Sequence, residues 1–230
     1  MTAGLADRMK AYEAVTDHRL TPNSWVVIRV DGRAFHTYTR QEFFRDTQPF
    51  SGRLQQAMLD AMKATAEGMQ GFRLAYTQSD ECTFAITDTG SHEDTGWFGY
   101  RLAKIQSLAA STFTAHFNYR FSGLHRPRGL ATFDARAFVV PEADVPNVFV
   151  WRQRDWERNS LSMLAQHHFS HRELQGKNQA DMHEMLHGIG VNWAKLPDVD
   201  KTGIWFCNDG NQFTGKLDYD KVAARLEKPE

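Results

Sequence analysis

Cysteine is scarce in this sequence, which holds only Cys82 and Cys207 among its 230 residues. Two cysteines without metal-binding spacing exclude a disulfide-stapled scaffold, so we expect both to be reduced thiols. Long apolar runs are also missing, because no segment reaches the roughly 18 apolar residues that a membrane helix requires. A secretory leader is marked by a basic segment followed by an apolar one, and the first residues lack this pattern. We therefore expect a cytoplasmic protein with no membrane partner.

An excess of positive charge is missing as well. The net charge is -1, so any nucleic acid would be held by a local patch. Residues 120–128 and 151–158 are the candidate patches, and the second interleaves arginine with tryptophan, as backbone contact with base stacking requires. A solvated helix face with ion pairs explains the second patch equally well. The 41% hydrophobic and 24% charged fractions indicate an ordered globular protein.

Two strand-like runs end in acidic clusters. Trp25-Val26-Val27-Ile28-Arg29-Val30 runs into Asp31-Gly32-Arg33, and residues 72–78 run into Ser79-Asp80-Glu81. Carboxylates at the tips of strands suggest a metal-dependent phosphoryl-transfer site.

The order of elements predicts the fold class. A helix is expected after Pro49 and up to about Gly68, a hairpin around Gln78-Ser79-Asp80-Glu81, a second helix over residues 97–119 and a strand over residues 133–140. The resulting β-α-β-β-α-β order is that of a ferredoxin-like α+β layer, with both helices on one face of an antiparallel sheet. Residues 1–140 form this layer. Residues 141–230 are predicted to be a mostly helical extension, packed as part of one domain and ending in a hairpin at residues 203–213.

The ferredoxin-like strand order brings the two acidic tips together. Its first and third strands are antiparallel neighbours, so we expect Asp31 and Asp80 to face each other although they are far apart in the chain. Two carboxylates held this close raise each other's pKa, a cost that a divalent cation removes. Mg²⁺ suits a site made of oxygen ligands only.

Gly32 belongs to the same prediction. Without a side chain, it lets its carbonyl reach a metal and lets the following amides approach a triphosphate. The predicted nucleotide loop is Gly32, Arg33, Ala34, Phe35 and His36. A plain Asp-Gly turn is the structural alternative for this segment taken alone.

The acidic tips lie in two longer motifs, Ile28-Arg29-Val30-Asp31-Gly32-Arg33-Ala34-Phe35-His36 and Ala75-Tyr76-Thr77-Gln78-Ser79-Asp80-Glu81. They resemble the signature segments of the tRNA-His guanylyltransferase family, the 3′-to-5′ (reverse) polymerases. The resemblance continues through Phe133-Asp134-Ala135-Arg136, Trp151-Arg152-Gln153-Arg154-Asp155, Leu174-Gln175-Gly176 and residues 192–203. It therefore spans nearly the whole chain.

This resemblance implies a polymerase-type palm with two Mg²⁺ ions. It implies that Asp31, the Gly32 carbonyl and Asp80 are metal ligands, with Glu81 beside them as a further ligand or an orienting group. Ser79 and Lys104 match positions that contact triphosphate in the family.

The implied reaction extends the 5′ end of a tRNA. ATP or GTP activates a 5′-monophosphate, and the 3′-hydroxyl of an incoming GTP or other nucleotide then displaces the activating group. The candidates for contacting RNA are Arg29, Arg152, Arg154, Arg158 and Asn159. Family members commonly form homotetramers, so the resemblance implies a tetramer.

One departure from the family bears on the choice of RNA. Members dedicated to tRNA-His carry His-Ile-Asn-Asn where this chain has Glu157-Arg158-Asn159-Ser160. The missing histidine makes the chain more similar to the guanylyltransferase-like members that repair truncated 5′ ends by copying a template. Addition of G to tRNA-His remains the other possibility.

A rival motif is His183-Glu184-Met185-Leu186-His187. The H-E-x-x-H pattern on a helix is typical of zinc metalloproteases, in which both histidines bind Zn²⁺ and the glutamate is the general base. No third ligand is evident, and histidines on a polar helix face are the simpler explanation. A non-enzymatic RNA chaperone on a degenerate palm is the third class, and the intact Asp31, Asp80 and Glu81 argue against it.

Overall fold

The computed structural model describes residues 4–45, 49–88, 96–123 and 127–227. Its strands are β1 (Trp25–Gly32), β2 (Phe72–Gln78), β3 (Glu81–Ile86), β4 (Phe133–Val140), β5 (Ile204–Cys207) and β6 (Gln212–Thr214). Its helices are α1 (Leu5–Ala14), α2 (Phe35–Tyr38), α3 (Gly52–Glu67), α4 (Leu102–Tyr119), α5 (Val145–His168), α6 (His171–Leu174), α7 (Gln179–Gly188), α8 (Asp198–Thr202) and α9 (Tyr219–Leu226). Short 3₁₀ turns cover Glu42–Phe44, Trp97–Tyr100, Glu142–Asp144 and Trp193–Lys195.

The six strands form one antiparallel sheet in the order β4-β1-β3-β2-β5-β6. Within it, β1, α3, β2, β3, α4 and β4 follow one another as the predicted β-α-β-β-α-β unit. The predicted α+β class is confirmed, and so is the antiparallel pairing of β1 with β3. Sequence order and strand order together therefore fix which strand tips meet.

One face of the sheet is covered by α3 and α4. Val26, Ile28 and Val30 point to this face because alternate residues of a strand share a side. The helices meet them with apolar side chains at helical spacing, which are Ala57, Met58, Ala61 and Met62 from α3 and Ile105, Ala109, Phe113 and Phe117 from α4. Both predicted helices lie on one face.

The other face is covered by α5 and α9. Trp25, Val27 and Tyr76 pack there against Phe149 and Trp205. Strands β1 and β3 are therefore buried on both faces. This explains why their sequences are continuously apolar rather than alternating between apolar and polar residues. The sequence did not predict this second layer.

Helix boundaries differ from the predictions at their N-terminal ends. Helix α3 begins after Ser51, whose side chain accepts the Leu54 N–H at 3.3 Å, rather than at Pro49. Helix α4 begins at Leu102, because Phe98 and Gly99 before it adopt left-handed conformations that no α-helix continues.

The C-terminal segment adds to the same sheet. The predicted hairpin is confirmed as β5 and β6, and Ala75 of β2 pairs with Phe206 of β5. A smaller apolar cluster joins the C-terminal half of α5 to α7, around Leu161, Leu164 and Leu186. Within the described ranges, no helix is both long and apolar enough to cross a membrane.

Candidate active site

The tips of β1, β2 and β3 meet at one corner of the sheet. Asp31 of β1 lies directly opposite Glu81 of β3, and Glu81 lies opposite Gln78 of β2. Only Ser79 and Asp80 remain in the turn between β2 and β3, which is tighter than the predicted four-residue loop. Directly opposed residues share a face of the sheet, so the carboxylates of Asp31 and Glu81 both lie on the α5 side.

A backbone hydrogen bond fixes the two acidic tips to each other. The Gly32 N–H donates to the Asp80 carbonyl at 3.0 Å. A Cβ at position 32 would lie 2.3 Å from the ring of Phe35, which is buried against Phe117 and Phe133. Position 32 therefore requires glycine, and any side chain would push the core aromatic ring away.

Two residues beside the acidic corner adopt left-handed backbone conformations. Ala34 has a φ of 56°, and Ser79 has a φ of 49°. Such conformations cost about 1 kcal/mol or more for residues other than glycine, and they cluster at functional sites. The Ser79 hydroxyl also donates to the Asp80 carboxylate at 3.0 Å, which fixes the orientation of that group.

Burial sets the electrostatics of the corner. Desolvation raises the pKa of Asp80, and the neighbouring charges of Asp31 and Glu81 raise it further, whereas the Ser79 hydrogen bond opposes the shift. Burial also raises the pKa of Glu81, against the lowering effect of Arg152. Three carboxylates in a partly buried corner favour a cation close by.

Glu81 is already engaged with a cation of the protein. Both of its carboxylate oxygens accept hydrogen bonds from Arg152, one from Nε and one from Nη2, each at 2.6 Å. Arg152 is a buried side chain of α5. It is therefore not exposed for contact with an RNA backbone, which contradicts its predicted role, and its burial against Glu81 is the physical reason.

A cavity of about 840 Å³ opens beside the Ser79-Asp80 turn. Of the predicted nucleotide and metal residues, its wall includes Phe35, His36, Ser79 and Asp80, whereas Asp31, Gly32, Arg33 and Ala34 lie outside that wall. The volume is within the range of small-molecule sites, about 300–1,000 Å³.

The cavity wall combines cationic and apolar side chains. The cationic side chains are Arg40 and Arg45, His36 accepts a hydrogen bond from Arg40 at 2.8 Å, and the N-terminus of α3 at Ser51 adds backbone N–H groups. Helix N-termini and arginines attract phosphate groups. Apolar lining residues are Phe44, Phe50, Met58, Trp156, Met163, Val199 and Ile204. The arrangement suits a molecule with an anionic end and a flat, less polar end.

Several of these lining residues were not predicted. Arg40 and Arg45 lie in the polar stretch after the Asp-Gly motif, where their charge was the available signal. Phe50 and Trp156 pack edge to face across the cavity wall, with ring centres 6.2 Å apart. Their meeting depends on how α5 lies over the sheet, which no local pattern reveals.

The remaining candidates for RNA contact are spread over the α5 side of the corner. Arg29 is half-buried beneath the Trp151 ring, 5.8 Å from its centre. Arg154, Arg158 and Asn159 are exposed on α5. Of the other basic patch, residues 124–126 lie outside the described ranges, and Arg120 pairs with Asp60 at 2.9 Å.

Lys104 is the prediction that the structure contradicts most clearly. Helix α4 runs in the same direction as β1, because its first turn lies beside Val26 near the start of β1 and its last turn contacts Phe35 just after the end of β1. Lys104, in that first turn, therefore lies where β1 begins, and it packs on Phe98 at 4.8 Å. Asp31 lies at the other end of β1, about 20 Å away at the usual rise of 3.3 Å per residue. Within one chain, Lys104 cannot contact a triphosphate held at the acidic corner.

The zinc-protease alternative finds no support in the described residues. His183, Glu184 and His187 do lie on the predicted helix, α7. Among the residues that the structure describes, however, no third His, Cys, Asp or Glu side chain joins His183 and His187 to hold a metal ion. The His183 ring instead packs edge to face on Trp193, with centres 5.8 Å apart.

Comparisons with known proteins bear on the family and the fold. Residues 6–141 match the family model described as Thg1: tRNAHis guanylyltransferase. A probable tRNA(His) guanylyltransferase of Drosophila melanogaster is 29% identical over 221 residues, which cover 88% of this chain and 73% of the relative.

Solved structures extend the similarity to the whole chain. A bacterial tRNA(His) guanylyltransferase-like protein in complex with ATP is 36% identical, with a TM-score of 0.88 and coverage of 97% of this chain and 99% of the other. A complex of such a bacterial protein with GTP is 33% identical, with a TM-score of 0.78 and coverage of 96% and 98%.

Proposed function

Because the chain belongs to the tRNAHis guanylyltransferase family and is a nucleotidyltransferase, we propose that it extends tRNA in the 3′-to-5′ direction. In this proposal it adds GTP or another nucleotide, chosen by a template base, to a 5′ end that ATP or GTP has activated. The observation that carries the proposal is the corner at which Asp31 and Asp80 meet beside a phosphate-attracting cavity.

The corner fits Mg²⁺ by the chemistry of its donors. Asp31, Asp80 and the Gly32 carbonyl would supply oxygen ligands only, and Mg²⁺ keeps several water ligands when few carboxylates hold it. The raised pKa of Asp80, caused by burial and then by Asp31 and Glu81, is a cost that a bound cation would offset. When bound, two such ions would stabilise the charge that develops at the reacting phosphorus.

The cavity would hold the activating or incoming nucleotide. Its cationic side chains, Arg40 and Arg45, would bind the triphosphate next to Ser79 and Asp80. Its aromatic side, with Phe50 and Trp156, would pack against the base. The complexes of the bacterial relatives with ATP and with GTP support nucleotides of both kinds.

The tRNA would approach across α5. Arg29, Arg154, Arg158 and Asn159 are its candidate contacts, and Arg154, Arg158 and Asn159 are exposed there. Glu157 stands where tRNA-His enzymes carry histidine, and its carboxylate pairs with Lys216 at 2.7 Å. An anionic, internally paired side chain at that place supports repair of truncated 5′ ends over strict selection of tRNA-His.

Self-association is the remaining part of the proposal. All residues of α1 are exposed, including the apolar Leu5, Met9 and Tyr12, and β4 is an edge strand. A helix of this length gains little stability unless it packs against something. We propose a cytoplasmic homotetramer, for which light scattering of the purified protein is the test. We also propose that residues 1–140 and 141–230 fold as one unit, because β5 pairs with β2.

Substitution of the acidic corner tests the reaction. Asp31→Ala and Asp80→Ala should each lower Mg²⁺-dependent transfer of labelled GTP to a 5′-truncated tRNA by about 10²–10³-fold or more. Glu184→Gln on α7 is the control, and it should retain full transfer. Full activity in Asp31→Ala or Asp80→Ala would reject the proposed site. RNA binding without any turnover by the native protein would favour the chaperone alternative.

Substrate choice needs a second assay. Truncated tRNA-His and a truncated unrelated tRNA are supplied in parallel, each with one nucleotide at a time. We expect extension of both, with the nucleotide that pairs with the opposing base. Addition of G to tRNA-His alone, whatever the opposing base, would reject the repair function and leave G addition to tRNA-His.

A further inference from the structure

The polar contact between Arg152 and Glu81 lies directly behind the acidic corner. The two residues are 9% and 8% exposed, and two parallel hydrogen bonds of 2.6 Å join their side chains. Two parallel hydrogen bonds from one guanidinium fix the plane of a carboxylate and compensate its charge. Glu81 is therefore held in one orientation, turned toward α5.

Arg152 is itself held by its neighbours on α5. Its Nη2 also donates to Asp155 at 3.1 Å, and Asp155 accepts a further hydrogen bond from Arg158 at 2.6 Å. The Trp151 ring packs on the guanidinium, 4.7 Å from its centre. A chain of alternating charges thus runs from the exposed Arg158 through Asp155 and Arg152 to Glu81.

The position of this chain connects two parts of the site. Glu81 follows Asp80 in sequence and pairs with Asp31 across the sheet. Helix α5, which carries Arg152, also provides Trp156 and Gln166 to the cavity wall. The ion pair therefore links the helix that lines the cavity to the turn that carries Asp80.

We propose that Arg152 is a positioning residue, which acts through Glu81 on the catalytic turn. Its two hydrogen bonds to Glu81 keep that carboxylate from binding the metal. They also hold the Ser79-Asp80 turn in a fixed position relative to the residues of α5 that line the cavity. The resemblance to the family left Glu81 either a ligand or an orienting group, and this geometry assigns it the second role. The inference rests on the proposed function, because it presumes a cation at Asp31 and Asp80.

Cation binding without nucleotide or RNA tests the first half of this inference. Mn²⁺ titrations followed by electron paramagnetic resonance compare the native protein with Arg152→Met, the double variant Glu81→Gln/Arg152→Met and Asp80→Asn. Arg152→Met frees the Glu81 carboxylate and removes a positive charge, so Mn²⁺ should bind roughly tenfold more tightly. The double variant replaces a neutral pair by a neutral pair, so its Mn²⁺ affinity should stay within about twofold of the native value.

Kinetics test the second half. Arg152→Met and the double variant should lower kcat for GTP transfer by about 10–100-fold, while the KM for GTP changes by less than about threefold. Arg152→Lys keeps the charge but loses the fork, so it should restore only part of kcat. Lys221→Met, which breaks an exposed pair with Asp218 on α9, is the matched control and should leave both parameters unchanged.

Three results would overturn the inference. Mn²⁺ affinity at least about tenfold weaker in the double variant would make Glu81 a ligand. A native kcat in the double variant would show that the ion pair supports only the fold. Unchanged Mn²⁺ affinity in Arg152→Met would show that the ion pair does not restrain Glu81. Asp80→Asn reports on the proposed function instead. Native Mn²⁺ binding in that variant, or none in the native protein, would reject the metal site itself, and the inference with it.

Discussion

The two faces of the sheet differ in how they use the same strands. The face under α3 and α4 is apolar from one end to the other, with Val26, Ile28 and Val30 of β1 in contact with it. The face under α5 and α9 begins apolar at Trp25 and Val27, and then becomes charged toward Asp31. On one face, β1 therefore contributes apolar side chains to the core along its whole length. On the other face, its side chains change from apolar at its start to charged at its end.

This difference shows how the site can carry buried charge without loss of the fold. The apolar face supplies most of the burial, at about 25 cal/mol per Å² of apolar surface removed from water. The α5 face carries the buried polar groups Arg152, Gln153 and Ser160, each with a hydrogen-bond partner. The acidic residues Asp31 and Glu81 thus lie on the α5 side, whereas the cavity is lined from both sides, by Met58 of α3 as well as Trp156 of α5.

The largest expected effect comes from the apolar face. Phe113 is fully buried between Phe84 and Phe133, so Phe113→Ala should lower the free energy of unfolding by about 3–5 kcal/mol. Urea unfolding measures this loss, and kcat per folded molecule should remain native. Tyr119→Ala, at an exposed position of the same helix, is the control. A fall in kcat that exceeds the loss of folded protein would contradict the division between the faces.

An intermediate effect is expected from the α5 face. The buried Gln153 side chain donates to the Leu217 carbonyl at 3.0 Å and accepts the Leu217 N–H at 2.9 Å. Gln153→Leu keeps the size of the side chain but leaves the Leu217 carbonyl and N–H without their hydrogen bonds. The free energy of unfolding should therefore fall by about 1–3 kcal/mol. Thermal unfolding monitored by circular dichroism measures it. If the exposed control Gln56→Leu destabilises as much, the buried amide is not a specific link between α5 and the C-terminal segment.

The smallest effect is expected where the apolar face meets the cavity. Ser51 caps α3, so Ser51→Ala should cost about 1 kcal/mol of stability. Ser107→Ala, in the exposed part of α4, should cost less. Equal losses in urea unfolding would show that the cap does not anchor this end of α3.

Much of the fold and the centre of the site follow from the sequence. A β-branched run that stops at Asp31 and a run of aromatic and aliphatic residues that stops before Ser79-Asp80 define two strand tips, and the order of elements makes those tips neighbours. The approach of Asp31 to Asp80 could be predicted because it depends only on topology. The need for a glycine at position 32 could also be predicted from access to the backbone. The structure adds a second cause, because a side chain there would collide with the Phe35 ring.

The rest depends on packing that leaves no local signal. Arg152 reads as a surface cation within a tryptophan and arginine motif, and only the way α5 lies on the sheet turns it toward Glu81. Lys104 was assigned from resemblance, whereas the direction of α4 places it at the opposite end of β1. Helix α1 was not predicted, because it buries no face and so has no marked apolar period.

The pairing of β2 with β5 has a consequence for synthesis of the chain. Ala75 and Phe206 lie roughly 130 positions apart, and contacts of such separation form late because a long loop must close first. While the ribosome is still making the residues between α5 and β5, β2 is an open edge of the sheet. The nascent chain therefore carries Asp31 and Asp80 on an unfinished, aggregation-prone layer until β5 emerges, and a chain released early would need protection at that edge.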